Sequence, residues 1–353
     1  PQGNYNIRVY TGDDYGTSDI AIRAENRCMM VNRMQTETGK HAHIDFTVNV
    51  RDSLIGSEHR KVALKPRERS YLNWDHKLTL EFNSKEPKVN AIEIVPADPT
   101  TVSVFLAGNS TVVDGPREPF TAWGQMFPYF FNPQDVAIVN LAESGETLSS
   151  FIGEKRLAKI LSMMKKGDYA FVEFGHNDQK QTGLNIGAFT SYKRDLEYFI
   201  AEVRKKGGIP VLVTSVQRRK FENGKIVHTL GDYPEAVRRT AKEKGTYLID
   251  LNNMSKILFE SMGKDSSVMA FAHFPANRYP GRDKPIQDDT HFRPFGAFEI
   301  AKLMVRGIRD EKLPLAHFIK KEEAGLDPTM PDKYESFYWP ESSGKDATKP
   351  EGN

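Results

Sequence analysis

Val102-Ser103-Val104-Phe105-Leu106-Ala107-Gly108-Asn109-Ser110-Thr111 is an apolar run that ends on a glycine and hands a small hydroxyl residue to the turn after it. A short run rich in valine and phenylalanine, bounded by turn residues, predicts a strand. Downstream, Trp123, Met126, Phe127 and Phe130 fall at spacings of three and one, the stripe of an amphipathic helix over 120–131. Ser110 is thereby expected at the tip of a strand and ahead of a helix, where α/β sheets keep their chemistry.

The same rhythm continues. Strands are predicted at 136–139, 169–174, 211–216 and 247–250, with helices over 153–165, 187–206 and 234–244 between them. A last helix is expected over 294–309, because Pro294 suits a first helical turn and Ile300, Ala301, Met304 and Ile308 share one face. Five strands alternating with helices imply an α/β fold: a parallel sheet covered on both faces, in three layers. Upstream the pattern differs. Segments 7–10, 44–48, 78–82 and 91–95 are β-rich and separated by Gly, Asn, Asp and Pro, which predicts an all-β sandwich over residues 1–97. Pro96-Ala97-Asp98-Pro99 reads as a seam, residues 98–318 as the α/β unit, and 319–353 as an irregular polar tail that Phe337-Tyr338-Trp339 can pin in part.

A chain of 353 residues has room for two cores. Its 49 basic and 47 acidic residues nearly cancel, so no charge imbalance calls for nucleic acid. No apolar run approaches the roughly 18 residues of a membrane span, and the opening Pro1-Gln2-Gly3-Asn4-Tyr5 is not a signal h-region. The single cysteine cannot close an intrachain disulfide, and Cys28-Met29-Met30-Val31 reads as buried filler. His41 and His43 share a strand face but lack a third ligand, so no metal is expected. The basic run from Arg60-Lys61 to Arg67 and Arg69 reads as the solvated face of a hairpin, and Trp74 as core packing.

Chemistry is expected at the strand tips. Ser110 follows the first strand, Glu143-Ser144-Gly145-Glu146 the second and Gly175-His176-Asn177-Asp178 the third. Parallel strands put these loops on one sheet edge, so a hydroxyl, a backbone amide and a carboxamide can converge as a nucleophile with an oxyanion hole. A serine needs an adjacent base oriented by an acid. Asp288-Asp289-Thr290-His291, just before the last helix, supplies both, in the chain order Ser, Asp, His.

Gly108-Asn109-Ser110-Thr111, Gly145, Gly175-His176-Asn177-Asp178 and Asp288-Asp289-Thr290-His291 resemble the four blocks of the SGNH (GDSL-type) hydrolases. Phe120-Thr121-Ala122-Trp123-Gly124-Gln125-Met126, Ala142–Thr147 and Glu173–Lys180 look more closely like the rhamnogalacturonan acetylesterases, which deacetylate pectin. The resemblance covers about residues 101–310 and implies a flavodoxin-like SGNH fold. The amino-terminal region also looks like a β-domain found ahead of such esterases. By that resemblance Ser110 is the nucleophile, His291 the general base and then acid, and Asp288 its orienter, preferred over Asp289 because the family places its acid three before the histidine. Ser110 and Gly145 amides and the Asn177 side chain would hold the oxyanion, with no metal or cofactor. One position departs: the family usually has aspartate where this chain has Asn109, which removes a charge beside the nucleophile. Tolerance and reduced activity are both open outcomes.

The implied substrate is an acylated pectic polysaccharide or oligosaccharide, deacetylated at the sugar. The alternatives are a pectin methylesterase and a non-catalytic glycan-binding protein. A polyanionic substrate calls for positive charge at the active edge, and Arg218, Arg219, Lys180 and Arg293 are the candidates for holding its carboxylates. A polymeric substrate implies a secreted, periplasmic or cell-surface location, with the leader absent from this chain.

Overall fold

The computed structural model describes residues 1–56, 60–342 and 350–351. Its centre is a five-stranded parallel sheet in the order Val136–Asn140, Val102–Gly108, Tyr169–Glu173, Ile209–Val213, Tyr247–Ile249. In chain order that is 2-1-3-4-5, the flavodoxin-like winding, with its switch point between the first and third strands. The register Glu173↔Gly108 sets the two strand ends level, so the loops that follow leave from neighbouring points. Phe105, Val139 and Val172 point to one apolar layer, with Leu196, Phe199 and Val203 of the helix Lys193–Lys205, and Leu106 and Phe171 to the other, with Ile300 and Met304 of Pro294–Asp310.

The amino-terminal region forms two three-stranded antiparallel sheets, Lys40–Val50, Gly3–Asp13, Ala91–Pro96 and Cys28–Thr36, Ser18–Ala24, Leu80–Glu86. Ile7, Val9, Phe46 and Val48 of the first meet Ile20, Ile22 and Met30 of the second in one core, the sandwich arrangement. Ser18–Ala24 is buried along its whole length, so it lacks the polar–apolar alternation that exposes a strand in sequence. Cys28 sits in this core, and burial pushes its thiol up.

Several local expectations are corrected. The stretch 120–131 is a four-residue helix, Trp123–Met126, followed by a 3-10 turn, Phe127–Phe130, because Pro128 has no N–H to carry the helix on. The helix over 153–165 breaks into Leu148–Gly153 and Arg156–Met163, with Lys155 left-handed at φ 67°. Leu251–Ser266, a helix the apolar spacing did not reveal, is capped by Asp250, whose carboxylate accepts from Asn253 N–H. Of the basic run, Arg60–Lys61 does pair with Leu54–Ile55 as a hairpin, whereas Arg67 and Arg69 lie in the 3-10 turn Pro66–Ser70. The expected polar tail reaches residues 343–349 and 352–353, which lie outside the described residues.

The β-region is held to the α/β unit by buried charge. Arg27 donates to the carbonyls of Gly115 (3.0 Å) and Phe120 (3.4 Å) and pairs with Glu118 at 2.9 Å. Trp339 of the tail lies under Arg23, 3.6 Å from guanidinium carbon to ring centroid, and its Nε1 donates to the same Glu118 at 2.9 Å. Trp74 packs against the core, its Nε1 donating to Glu68 at 3.2 Å. Glu68 in turn meets Arg156 at 2.5 Å, with both side chains fully buried. Breaking such a pair strands a charge away from water, so Arg156→Met is expected to lower the unfolding free energy by about 3–5 kcal/mol. Urea denaturation followed by tryptophan fluorescence measures this.

Candidate active site

Gly108 closes the first strand where a Cβ would lie 2.4 Å from Val112 Cγ2, so only glycine lets the chain fold back. The turn it opens is held by Asn109, whose carbonyl accepts from Val112 and Val113 N–H (both 3.0 Å) and whose Oδ1 accepts from Thr111 N–H at 3.1 Å. That side-chain bond is of a kind a carboxylate at the same position would also make. Below the turn, Glu173 accepts from Thr111 Oγ1 (3.1 Å) and Trp123 Nε1 (2.6 Å), and its burial pushes the carboxyl up to about 7.

Ser110 is 7% exposed, and its Oγ lies 2.9 Å from His291 Nε2. On the far side of the ring, Nδ1 lies 2.8 Å from Asp288 Oδ2. Of the two neighbouring carboxylates, Asp288 faces the imidazole, while Asp289 is half exposed and pairs with Arg219 (2.9 Å) and His273 (2.8 Å). Both acids and the histidine sit on the strand Ile286–Phe292 rather than on a loop. Asp288 reaches the ring three residues on because its Oδ1 accepts from Thr290 and His291 N–H at 2.8 and 2.9 Å, which curls the strand end around the carboxylate. Burial works against its ionisation, but the hydrogen bond and charge of His291 and the two N–H donors outweigh that and hold it at about 2. Phe120 packs edge-on against the imidazole, ring centroids 6.0 Å apart.

The second loop is tied beside the serine by Glu143 N–H, which donates to Gly108 O at 3.2 Å. Gly145 follows at φ +81°, a conformation that favours glycine. From the third loop, Asn177 donates through Nδ2 to Glu146 O at 3.0 Å, which leaves its second N–H available. Among the described residues the N–H groups of Ser110 and Gly145 meet no acceptor. His176 is fully buried, and burial followed by the charge of Arg218 keeps its ring from taking up a proton.

Ser110 and His291 open into a cavity of about 470 Å³. One wall comes from the amino-terminal region, with Asn26, Arg67, Tyr71 and Leu72; Arg117 and Phe120 supply another. Arg67 Nη1 lies 2.5 Å from the Glu351 carboxylate, so an anion can reach this guanidinium at the cavity. None of the four cations singled out by strand topology lines this cavity. Arg219 is taken up by Asp289, Ser267 and the Lys264 carbonyl, and Arg293 is buried against the carbonyls of Phe271 and His273. Arg218 donates to Thr229. Lys180 is exposed, with Nζ 3.4 Å from Asn177 Oδ1. The sequence concealed Arg67 because it follows no parallel strand, its local sign being the turn begun by Pro66, and Arg117 because it lies well beyond the strand tip, in the long connection between Val102–Gly108 and Trp123–Met126.

A model of the GDSL-like Lipase/Acylhydrolase family matches residues 106–297. The rhamnogalacturonan acetylesterase RhgT of Bacillus subtilis is 43% identical over 225 residues, 63% of this chain and 96% of that protein. A rhamnogalacturonan acetylesterase of Emericella nidulans is 22% identical over 58% of this chain and 84% of its own length. Among solved structures, the Bacillus subtilis protein YxiM superposes with a TM-score of 0.54 at 23% identity, covering 89% of this chain and 79% of that one. That likeness extends the shared fold into the amino-terminal region.

Proposed function

This chain belongs to the GDSL-like lipase/acylhydrolase family and is a carboxylic-ester hydrolase, and we propose that it removes O-acetyl groups from a pectic carbohydrate through an acyl-serine formed on Ser110. The observation that carries the mechanism is the unbroken relay Ser110 Oγ, His291, Asp288, with contacts of 2.9 and 2.8 Å, at the switch point of the sheet. Ser110 Oγ attacks the acetyl carbonyl as His291 Nε2 takes its proton. Asp288 keeps Nδ1 protonated, so Nε2 has its lone pair toward the serine, and stabilises the imidazolium once formed. The N–H groups of Ser110 and Gly145 and the free N–H of Asn177 receive the oxyanion. On collapse, His291 returns the proton to the departing sugar oxygen; water then adds to acetyl-Ser110 by the same relay and releases acetate.

The carbohydrate and the acetyl group are supported by the rhamnogalacturonan acetylesterases to which the chain is similar. An acidic backbone is further supported by Arg67 and Arg117, whose positive charge lines the cavity. A polymeric substrate would support a secreted, periplasmic or cell-surface location. The test is product analysis on acetylated pectin, methylated pectin and p-nitrophenyl acetate. Acetate from the first and nitrophenol from the third are expected; methanol alone would replace the reading by a methylesterase, and no product at all by a glycan-binding protein. In the same assay Arg117→Ala is expected to raise KM on pectic oligosaccharide about tenfold and to leave p-nitrophenyl acetate turnover unchanged. Equal losses on both would remove Arg117 from substrate binding.

A further inference from the structure

The carbonyl of Ser144 receives two cationic donors, both from the amino-terminal region: Lys65 Nζ at 2.7 Å and Arg67 Nη2 at 2.8 Å. The acids on either side of this peptide are held by the same two residues. Arg67 Nε and Nη2 meet Glu143 Oε1 at 2.9 and 2.6 Å, and Lys65 Nζ lies 2.5 Å from the buried Glu146 Oε1. Burial and the nearby charge of Glu68 push the Glu143 carboxyl up to about 7 against the pull of Arg67. The clamp is thus closed on Ser144 O and on both flanking side chains.

Ser144 C=O and Gly145 N–H belong to one planar trans peptide and point in opposite directions. Whatever fixes the direction of the carbonyl therefore fixes the N–H. Glycine at φ +81° has no Cβ to resist rotation of that peptide, so its orientation rests on external contacts. Two positive donors on the oxygen also draw electron density through the amide and make the N–H a stronger donor.

We propose that Lys65 and Arg67 are positioning residues of the oxyanion hole: the β-region, lying outside the residues matched by the family, holds and polarises the Ser144–Gly145 peptide so that its N–H meets the tetrahedral intermediate. This rests on the ester-hydrolase reading of the site, with Gly145 as a donor.

The test compares wild type with Lys65→Met/Glu146→Gln, which removes one of the two cationic donors from Ser144 O without leaving Glu146 as a buried unpaired charge. Arg67→Gln/Glu143→Gln carries the same test if the first variant folds poorly. Thermal unfolding reports integrity, p-nitrophenyl acetate gives kcat and KM, and inhibition by phenylboronic acid reads the oxyanion hole directly, since its serine adduct mimics the tetrahedral intermediate. The expected result is kcat lowered by roughly 10- to 100-fold, KM within about twofold, boronate inhibition weakened in parallel, and recovery of most activity in Lys65→Arg. A folded double variant with wild-type kcat and wild-type boronate inhibition would overturn the inference alone. An inactive wild type would remove the ester-hydrolase reading and this inference with it.

Discussion

Ser110→Ala is expected to lower kcat on p-nitrophenyl acetate by about 10⁶-fold while leaving the melting temperature within a few degrees of wild type. Only the hydroxyl can form the acyl intermediate, and its single strong partner is His291 Nε2 at 2.9 Å, so its loss disturbs one hydrogen bond and no packing. The turn that carries it is held by Asn109 and Thr111 rather than by the serine side chain. Residual turnover over the uncatalysed reaction would come from the remaining oxyanion donors and from binding. More than about one hundredth of wild-type activity in a preparation free of contaminating esterase would show that the nucleophile lies elsewhere.

Asp288→Asn carries the second large effect, a loss of about 10⁴-fold in kcat, while Asp289→Asn one position later is expected to cost less than about fivefold. The two acids are adjacent in the chain and differ only in where they point. Asp288 Oδ2 holds His291 Nδ1, and an amide there can turn its NH₂ to the ring and stabilise the wrong tautomer. Asp289 meets Arg219 and His273 at the surface, where an exposed ion pair contributes little. Reversed losses would move the triad acid to Asp289. The carboxylate also predicts a difference in acid stability. Its folded value of about 2 lies below its ordinary 3.8, so its stabilising contribution is complete above pH 4 and is lost as pH falls toward 2. Asp288→Asn should lack this part of the acid unfolding profile, measurable by circular dichroism. Activity lost in mildly acidic buffer is therefore not due to protonation of Asp288.

Asn109 holds the turn that carries Ser110. Its Oδ1 accepts from Thr111 and its carbonyl from Val112 and Val113, work that requires oxygens and no charge. Its Nδ2 is buried without a partner among the described residues. A carboxylate would remove that orphaned donor, but would set a second buried acid near Glu173, whose own ionisation burial already resists.

The sequence by itself determined the class of each half of the molecule, the five parallel strands and the residues at three of their tips. Those features are local: strand burial writes its period into neighbouring residues, and a glycine or small polar residue marks where a strand must turn. Only the tertiary structure decided the 2-1-3-4-5 strand order, the pairing of Asp289 with Arg219 and His273 beside the contact of Asp288 with His291, the commitment of Arg219 and Arg293 to internal partners, and the presence of Arg67 and Arg117 in the cavity lining. A carboxylate or guanidinium has the same composition whether it faces a substrate, a backbone carbonyl or another side chain. Its partner is set by contacts between residues far apart in the chain, as between Lys65 and Ser144, and such pairings leave no periodic trace in either segment.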